Sequence, residues 1–408
     1  MTDQLLSHSV TQSFNYSIIH TCFMGKFNVF LIVFSMFLGS CRSGSQKATM
    51  ADGIITIDLS KDYPKTTKKD RDIIAHTEYV PLETTKDVLV GRYASLHTVS
   101  ERFIVVTDIV RGDILILNRT GKIVSLFNHK GKGPEEYNTM SCVVFDEKNK
   151  EVFVFDYTER ILVYTFTGEY KRTMKYTADL QLTAYNFDNE TLLVYDTKNL
   201  YNDDYNKEPY MFMSKKDGSI TSTLNINLPA RYDTRVFTQF TDDSGQLFTY
   251  SSSIFVPNKR HYGQDFVISD VSSDTIYWLA KNRELIPWFV RTPSVHSTDP
   301  HLICTTALVT DKFVVFHTTV LDYASIQKEK EPPVTALMYE FESGEINRID
   351  FRALSNVNIL QKNTDAGMID VSRLIDSYND NKLEGGLKQL VSTLDEEDNP
   401  VVVIHTFK

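Results

Sequence analysis

The chain has 408 residues, 42% of them hydrophobic and 12% aromatic, enough to bury a large core in one all-β body or in two or three domains. With 43 basic against 53 acidic residues its net charge is −10, which argues against nucleic acid as a partner, since sequence-independent binding needs a basic face. The four cysteines form no CxxC pair and no Cys/His cluster, so neither a metal site nor a cofactor is indicated.

The N-terminus reads as an address. Residues 1–23 match neither a signal nor a fold and read as a gene-model extension, with translation starting at Met24. Lys26 then precedes an apolar run over 27–38, too short to span a bilayer comfortably but suited to a signal-peptide core. The run ends in Leu38-Gly39-Ser40-Cys41, which resembles the bacterial lipoprotein box. That resemblance implies a signal peptide over 24–41 and makes Cys41 the lipidated first residue of the mature protein, its thiol a membrane anchor. Residues 42–52, rich in Ser, Gly and Lys, read as a flexible tether.

From residue 53 the chain reads as strands. Residues 53–59 and 76–82 are strand-like, separated by a charged interval. A unit then repeats. Residues 103–107 are a β-branched run ending at Asp108; a polar turn, a strand over 114–117, a turn at Gly121 and a strand over 123–127 follow. The same succession runs through Asp156 and Gly168, 48 and 47 residues further on. A repeat of that length with four strands marks a propeller blade. Later units are more diverged. Strands are expected at 191–195, 210–214 and 220–226; the next unit begins with 236–241 and 246–250 and continues through 266–269, 275–279 and 284–290; another spans 302–349. Apolar residues at helical spacing predict helices over 371–378 and 383–394, before a final strand at 401–407. Five whole units with strands left over at both ends predict a sixth blade made by the termini, so that residues 53–408 form one six-bladed, all-β propeller of four-stranded antiparallel blades.

Four stretches carry a family resemblance: the box at Leu38 to Cys41, Pro81-Leu82-Glu83-Thr84, Gly131-Lys132-Gly133-Pro134-Glu135-Glu136-Tyr137, and Ser273-Asp274-Thr275-Ile276-Tyr277 with Pro287 beyond. With these the chain resembles the six-bladed β-propeller lipoproteins of Bacteroides and relatives, themselves distantly similar to NHL-repeat propellers; Asp156, Arg160 and Ile161 are the NHL-like part. Glu135 stands where that family usually has glycine. The resemblance implies fold and anchoring in the cell envelope, at the outer membrane. The lack of an acidic cluster after Cys41 favours a periplasm-facing position. It implies no activity, because fold alone does not supply one.

Candidate sites follow from residue chemistry. Gly131, Gly133, Pro134 and Tyr137 read as a joint between two blades, with Tyr137 plugging the groove, in preference to a ligand loop. Asp108, Asp156 and Asp196 end equivalent strands and read as turn caps rather than cation ligands. Tyr201, Asp203, Asp204 and Tyr205 form an acidic and aromatic insertion, and His296 and His301 flank Asp299-Pro300 in a loop; these are the candidate ligand contacts. Trp278 and Trp288 are expected to pack within their blade, and Cys142 and Cys304 read as separate buried thiols rather than a disulfide. No nucleophile elbow, P-loop or dinucleotide fingerprint occurs, so no catalytic residue is assigned. The expected function is a lipid-anchored module binding a glycan or protein ligand across one face of the ring. The alternatives are a hydrolase or lyase acting on glycans at the central tunnel, and a structural subunit of an envelope assembly.

Overall fold

Runs such as Ile-Val-Val at 104–106 and Val-Phe-Val-Phe at 152–155 are apolar at every position, so both faces of these strands must be covered. A blade stacked between two others in a ring meets that demand. The computed structural model describes residues 46–408 apart from 92, 178–179, 198–204, 233–234, 242–246, 254–257, 323–332, 352–353 and 355–356, and its strands form a six-bladed β-propeller. Cys41 and the expected signal peptide lie outside the described residues.

The chain first skirts the rim through β1 (Gln46–Lys47), β2 (Thr49–Ala51) and β3 (Ile54–Asp58), then passes a one-turn helix, α1 (Asp70–Ile73), into β4 (Ile74–Pro81). The first blade is β5 (Ala94–Val99), β6 (Phe103–Asp108), β7 (Asp113–Asn118) and β8 (Ile123–Phe127). The second is β9 (Met140–Asp146), β10 (Glu151–Asp156), β11 (Arg160–Thr165) and β12 (Tyr170–Lys175). The third is β13 (Leu182–Asn186), β14 (Thr191–Asp196), β15 (Tyr210–Ser214) and β16 (Ile220–Thr223). A hairpin of β17 (Arg235–Thr241) and β18 (Leu247–Ser253) follows as a sheet of its own. The fourth blade is β19 (Asn258–Tyr262), β20 (Asp265–Ser269), β21 (Thr275–Leu279) and β22 (Leu285–Thr292). The fifth is β23 (His301–Val309), β24 (Phe313–Leu321), β25 (Thr335–Glu340) and β26 (Glu345–Ile349). Then come β27 (Asn358–Ile359), β28 (Thr364–Ile369), helices α2 (Val371–Asn379) and α3 (Gly385–Val391), and β29 (Val401–Phe407).

The sixth blade joins the two ends of the chain. β29 pairs with β28 on one side and with β4 on the other, in the register Val401↔Pro81 to Phe407↔Ile74. β27 occupies the innermost place of this blade but pairs in parallel with β5 of the first. Two strand readings are corrected. The strands at 236–241 and 246–250 do not open the fourth blade; they pair with each other as a hairpin, and the blade starts at β19. The strand at 54–58 does not join the closing blade but adds in parallel to β22. Residues 46–51, the end of the expected tether, pair with β26 and β3.

Six hydrophobic clusters hold the ring, one per blade interface. Val152 and Val154 point to the first blade and join Val105, Ile114 and Tyr137, whereas Phe153 and Phe155 point to the third and join Leu192, Val194 and Met211. The alternation of a pleated strand thus feeds two cores at once. Equivalent clusters join third to fourth, fourth to fifth, fifth to sixth and sixth to first blades. Trp278 and Trp288 meet edge to face at 5.1 Å against the cluster between the fourth and fifth blades. The two helices pack on the sixth blade through Leu374, Val391 and Val401. No helix among the described residues is long and apolar enough to cross a membrane.

The meander sorts its connections between two faces. First-to-second and third-to-fourth turns are short and lie on one face. The crossovers between blades and the second-to-third connections lie on the other. That crossover face therefore carries the 128–139 bend, residues 205–209, the β17–β18 hairpin, residues 293–300 and helices α2 and α3.

Candidate functional site

On the crossover face the aspartates that end second strands are occupied by backbone. Asp108 Oδ1 accepts the amides of Val110 and Arg111, and Asp156 accepts those of Thr158 and Asn138. Asp156 also takes Arg160 at 2.8 Å, and these donors hold its carboxyl below the usual range against the opposing effect of burial. Asp196 accepts the Gln181 amide and Asp270 that of Ser272. Each carboxylate closes the turn after its strand or tethers the crossover that leads into its own blade. Among the described residues no three His, Cys, Asp or Glu side chains are grouped to hold a metal ion.

The Gly131 to Tyr137 segment connects β8 to β9 and folds back on itself, Gly131 N–H bonding to Tyr137 O and Tyr137 N–H to His129 O. Tyr137 is fully buried; its hydroxyl donates to Gly112 O at 2.6 Å and accepts the His129 amide at 2.9 Å. Burial pushes its pKa up to about 12. Glu136 accepts the Gly133 amide at 2.8 Å, and a Cβ at Gly131 would fall 1.9 Å from that same carboxylate. Pro134 and Glu135 are exposed. The carbonyl of Glu135 accepts the Tyr164 hydroxyl, so its side chain is free of the joint.

Of the candidate ligand contacts, Tyr201, Asp203 and Asp204 lie outside the described residues. His296 and His301, both from the connection between β22 and β23, meet a residue that the sequence pattern did not single out, Tyr232 of the connection between β16 and β17, and Tyr205 of the connection between β14 and β15 lies near enough to act on the Tyr232 hydroxyl. The Tyr232 ring lies 4.0 Å from that of His301 and 5.5 Å from that of His296, and its hydroxyl bonds His296 Nδ1 at 2.9 Å. His301 Nδ1 donates to Val295 O at 3.0 Å, which fixes that ring. Tyr205 donates to Pro229 O, and the adjacent Arg231 reaches Asp196 O and Asn206 O. The Tyr232 amide bonds Ser272 Oγ, and Asp274 accepts the Val295 amide at 2.7 Å. Burial, and then the charge of Asp274, raise the Tyr232 hydroxyl above its ordinary pKa. The result is a partly exposed platform of two phenols and two imidazoles over the third, fourth and fifth blades. Such groups offer flat apolar faces and rim hydrogen bonds together.

The central bore differs in character. His97 on β5 donates from Nε2 to Val143 O at 2.9 Å, and burial lowers its pKa to about 4. His261 on β19 is lowered to about 3 for the same reason. Cys142 is half-buried and Cys304 buried, and neither forms a disulfide; burial pushes Cys304 up to about 12. The cavity beside Arg260 and His261 measures 20 Å³. That volume admits about one water and no sugar ring.

A family model described as "Domain of unknown function (DUF4934)" matches residues 54–406. No curated protein matches the sequence. Among solved structures, the fold is similar to that of a Bacteroides fragilis protein named as exported, with 14% identity over 87% of this chain and 99% of that one and a TM-score of 0.56. A DUF4221 family member from Bacteroides vulgatus is similar over 82% of this chain and 97% of that one, at 8% identity and a TM-score of 0.47. At this identity the first likeness shows a shared fold and carries nothing about activity.

Proposed function

The chain belongs to the DUF4934 family, and we propose that it is a lipid-anchored propeller of the bacterial cell envelope that binds a glycan or protein ligand on its crossover face. The observation that carries this reading is the convergence of Tyr205, Tyr232, His296 and His301 from three connections onto one partly exposed platform of a rigid ring. Recognition by loops on a fixed scaffold is the usual division of labour. Anchoring rests on the order of Lys26, the apolar run, the small residues and Cys41. The export named for the Bacteroides fragilis propeller is in keeping with that address.

Two experiments test the proposal. Detergent-solubilised protein is screened on a glycan array and used to capture envelope proteins, alongside Tyr232→Ala and His296→Ala. Both variants should weaken the captured interaction at least about tenfold, the scale expected of an aromatic contact at the centre of a site. Lys216→Glu, in a turn of the opposite face, should leave it intact. Loss in the Lys216 variant with full binding by the other two would place recognition elsewhere. Separately, Cys41→Ala should move the protein from the membrane to the soluble fraction; unchanged membrane retention would remove the anchor from the reading.

A further inference from the structure

The chain meets the ring at its outer edge. β1 pairs with β26, the outermost strand of the fifth blade, in the register Gln46↔Ile346 and Lys47↔Glu345. The Ala48 amide donates to Gly344 O at 2.8 Å, and β2 then lies outside β3 on the rim of the fourth blade. Farther along β26 the edge is already taken: Arg348 N–H donates to Pro64 O, and Arg348 O accepts the Thr66 amide, both at 2.8 Å. Residues 46–51, expected to belong to the tether, are thus paired to the rim, and four residues, 42–45, separate Cys41 from β1. Five Cα-to-Cα steps span at most about 18 Å. The four strands of one blade cover about 14 Å at their usual spacing. A lipid on Cys41 is therefore held within about one blade's width of this entry point, and cannot be carried round to the second blade on the far side of the ring.

We propose, on the premise that Cys41 carries the lipid, that the rim formed by β1, β2 and β26 is the surface the ring presents to the bilayer. Met50 on β2 is 62% exposed, more than any other large apolar side chain among the described residues, and it lies on this rim. Charge does not drive the approach, because the rim carries both signs: Lys65, which bridges to Arg348, pairs with Asp350 at 2.6 Å. The short covalent link does. Held in this way the ring stands edge-on, with the second blade farthest from the lipid and both faces open. A ligand then reaches Tyr232 along the plane of the membrane rather than from beneath the ring.

Lysine acylation tests the orientation. The lipidated protein in vesicles of phosphatidylethanolamine and phosphatidylglycerol is compared, lysine by lysine, with soluble Cys41→Ala. Lys47 and Lys65 mark the proposed contact, Lys175 on β12 the far rim, Lys132 the crossover face and Lys216 the opposite face, and all five are exposed. The reactivity of Lys47 and Lys65 should fall severalfold in the vesicles, and that of the other three should not change. Protein that floats with the vesicles but shows Lys175, Lys132 or Lys216 protected, or no lysine protected, overturns the orientation and leaves the anchor standing. Protein that fails to float removes the anchor, and the orientation with it. Inserting about twenty Gly and Ser residues after Ser45 adds a flexible span of about 25 Å. That variant should float as before and lose the protection; protection kept in it would overturn the short link as the cause.

Discussion

At the scale of single residues, one turn position shows how the same backbone need is met in different surroundings. Gly121, Gly168, Gly218 and Gly344 occupy the third-to-fourth turns of four blades, all with φ between 68° and 86°. In the fourth blade Arg283 takes this place at φ 70°, its guanidinium 4.7 Å over the Phe212 ring and 3.1 Å from Asp188. A side chain is therefore possible there when it has partners. Gly121 has no such room: a Cβ would lie 2.1 Å from Pro81 O, whereas one at Gly344 meets nothing within 4 Å. Gly344→Ala should lose about 1 kcal/mol, the cost of the left-handed backbone. Gly121→Ala should lose about 2–4 kcal/mol, because the Pro81 backbone must also move. Denaturant midpoints compare the two; equal losses would show that the contact with β4 relaxes freely. Tyr137→Phe makes the matching test of the 131–137 bend. It strands the Gly112 carbonyl and the His129 amide in a dry interface, so a loss of about 1–3 kcal/mol is expected in the same measurement. A stability unchanged by that substitution would mean that water reaches the joint.

Among the elements, what was legible in the sequence follows from where each strand lies. The middle strands of the first five blades are largely apolar on both faces, and they were readable as runs of β-branched and aromatic residues. Among the strands that escaped notice are β13 (Leu-Thr-Ala-Tyr-Asn) and β19 (Asn-Lys-Arg-His-Tyr), the innermost of their blades. Inner strands border the bore, so polar residues such as Arg260 and His261 interrupt the pattern. β17 and β18 misled for the converse reason: their composition suits strands, but nothing in a local window says which partner a strand takes. Tyr232 was invisible as a site residue because its meaning arises only when two other connections reach it. The closing blade was readable from arithmetic, five units and leftover ends. Its construction predicts that removing residues 401–408 abolishes cooperative unfolding of the whole ring. β29 is the central strand of that blade, and its residues fill both adjoining clusters, Val402 and Ile404 towards the first blade and Phe407 towards the fifth. Calorimetry on the truncated chain should show no native transition; a retained transition with only a lower midpoint would mean that five blades stand alone.

For the molecule as a whole, the two histidines of the inner strands make stability depend on pH. His97 and His261 have folded pKa values of about 4 and about 3, both depressed by burial from 6.5. A depressed folded value means that their contribution is complete above about pH 6.5 and is lost as the pH falls towards the folded values, because the unfolded chain binds the protons first. With two such groups the slope approaches about 2.7 kcal/mol per pH unit between about pH 6 and pH 4.5. Carboxylates held low in the fold, Glu151, Asp156 and Asp188, contribute the same sign only below their unfolded range near pH 4. Asp365, whose pKa burial raises, works the other way: it takes up its proton in the folded state first, and so offsets part of the loss. His97→Gln keeps a donor for Val143 O and removes one titration; His261→Phe removes the other beside Arg260. Each should halve the slope of unfolding free energy against pH between 6 and 4.5, and the double variant should be nearly flat there. A double variant as acid-sensitive as the parent would place the sensitivity outside the bore.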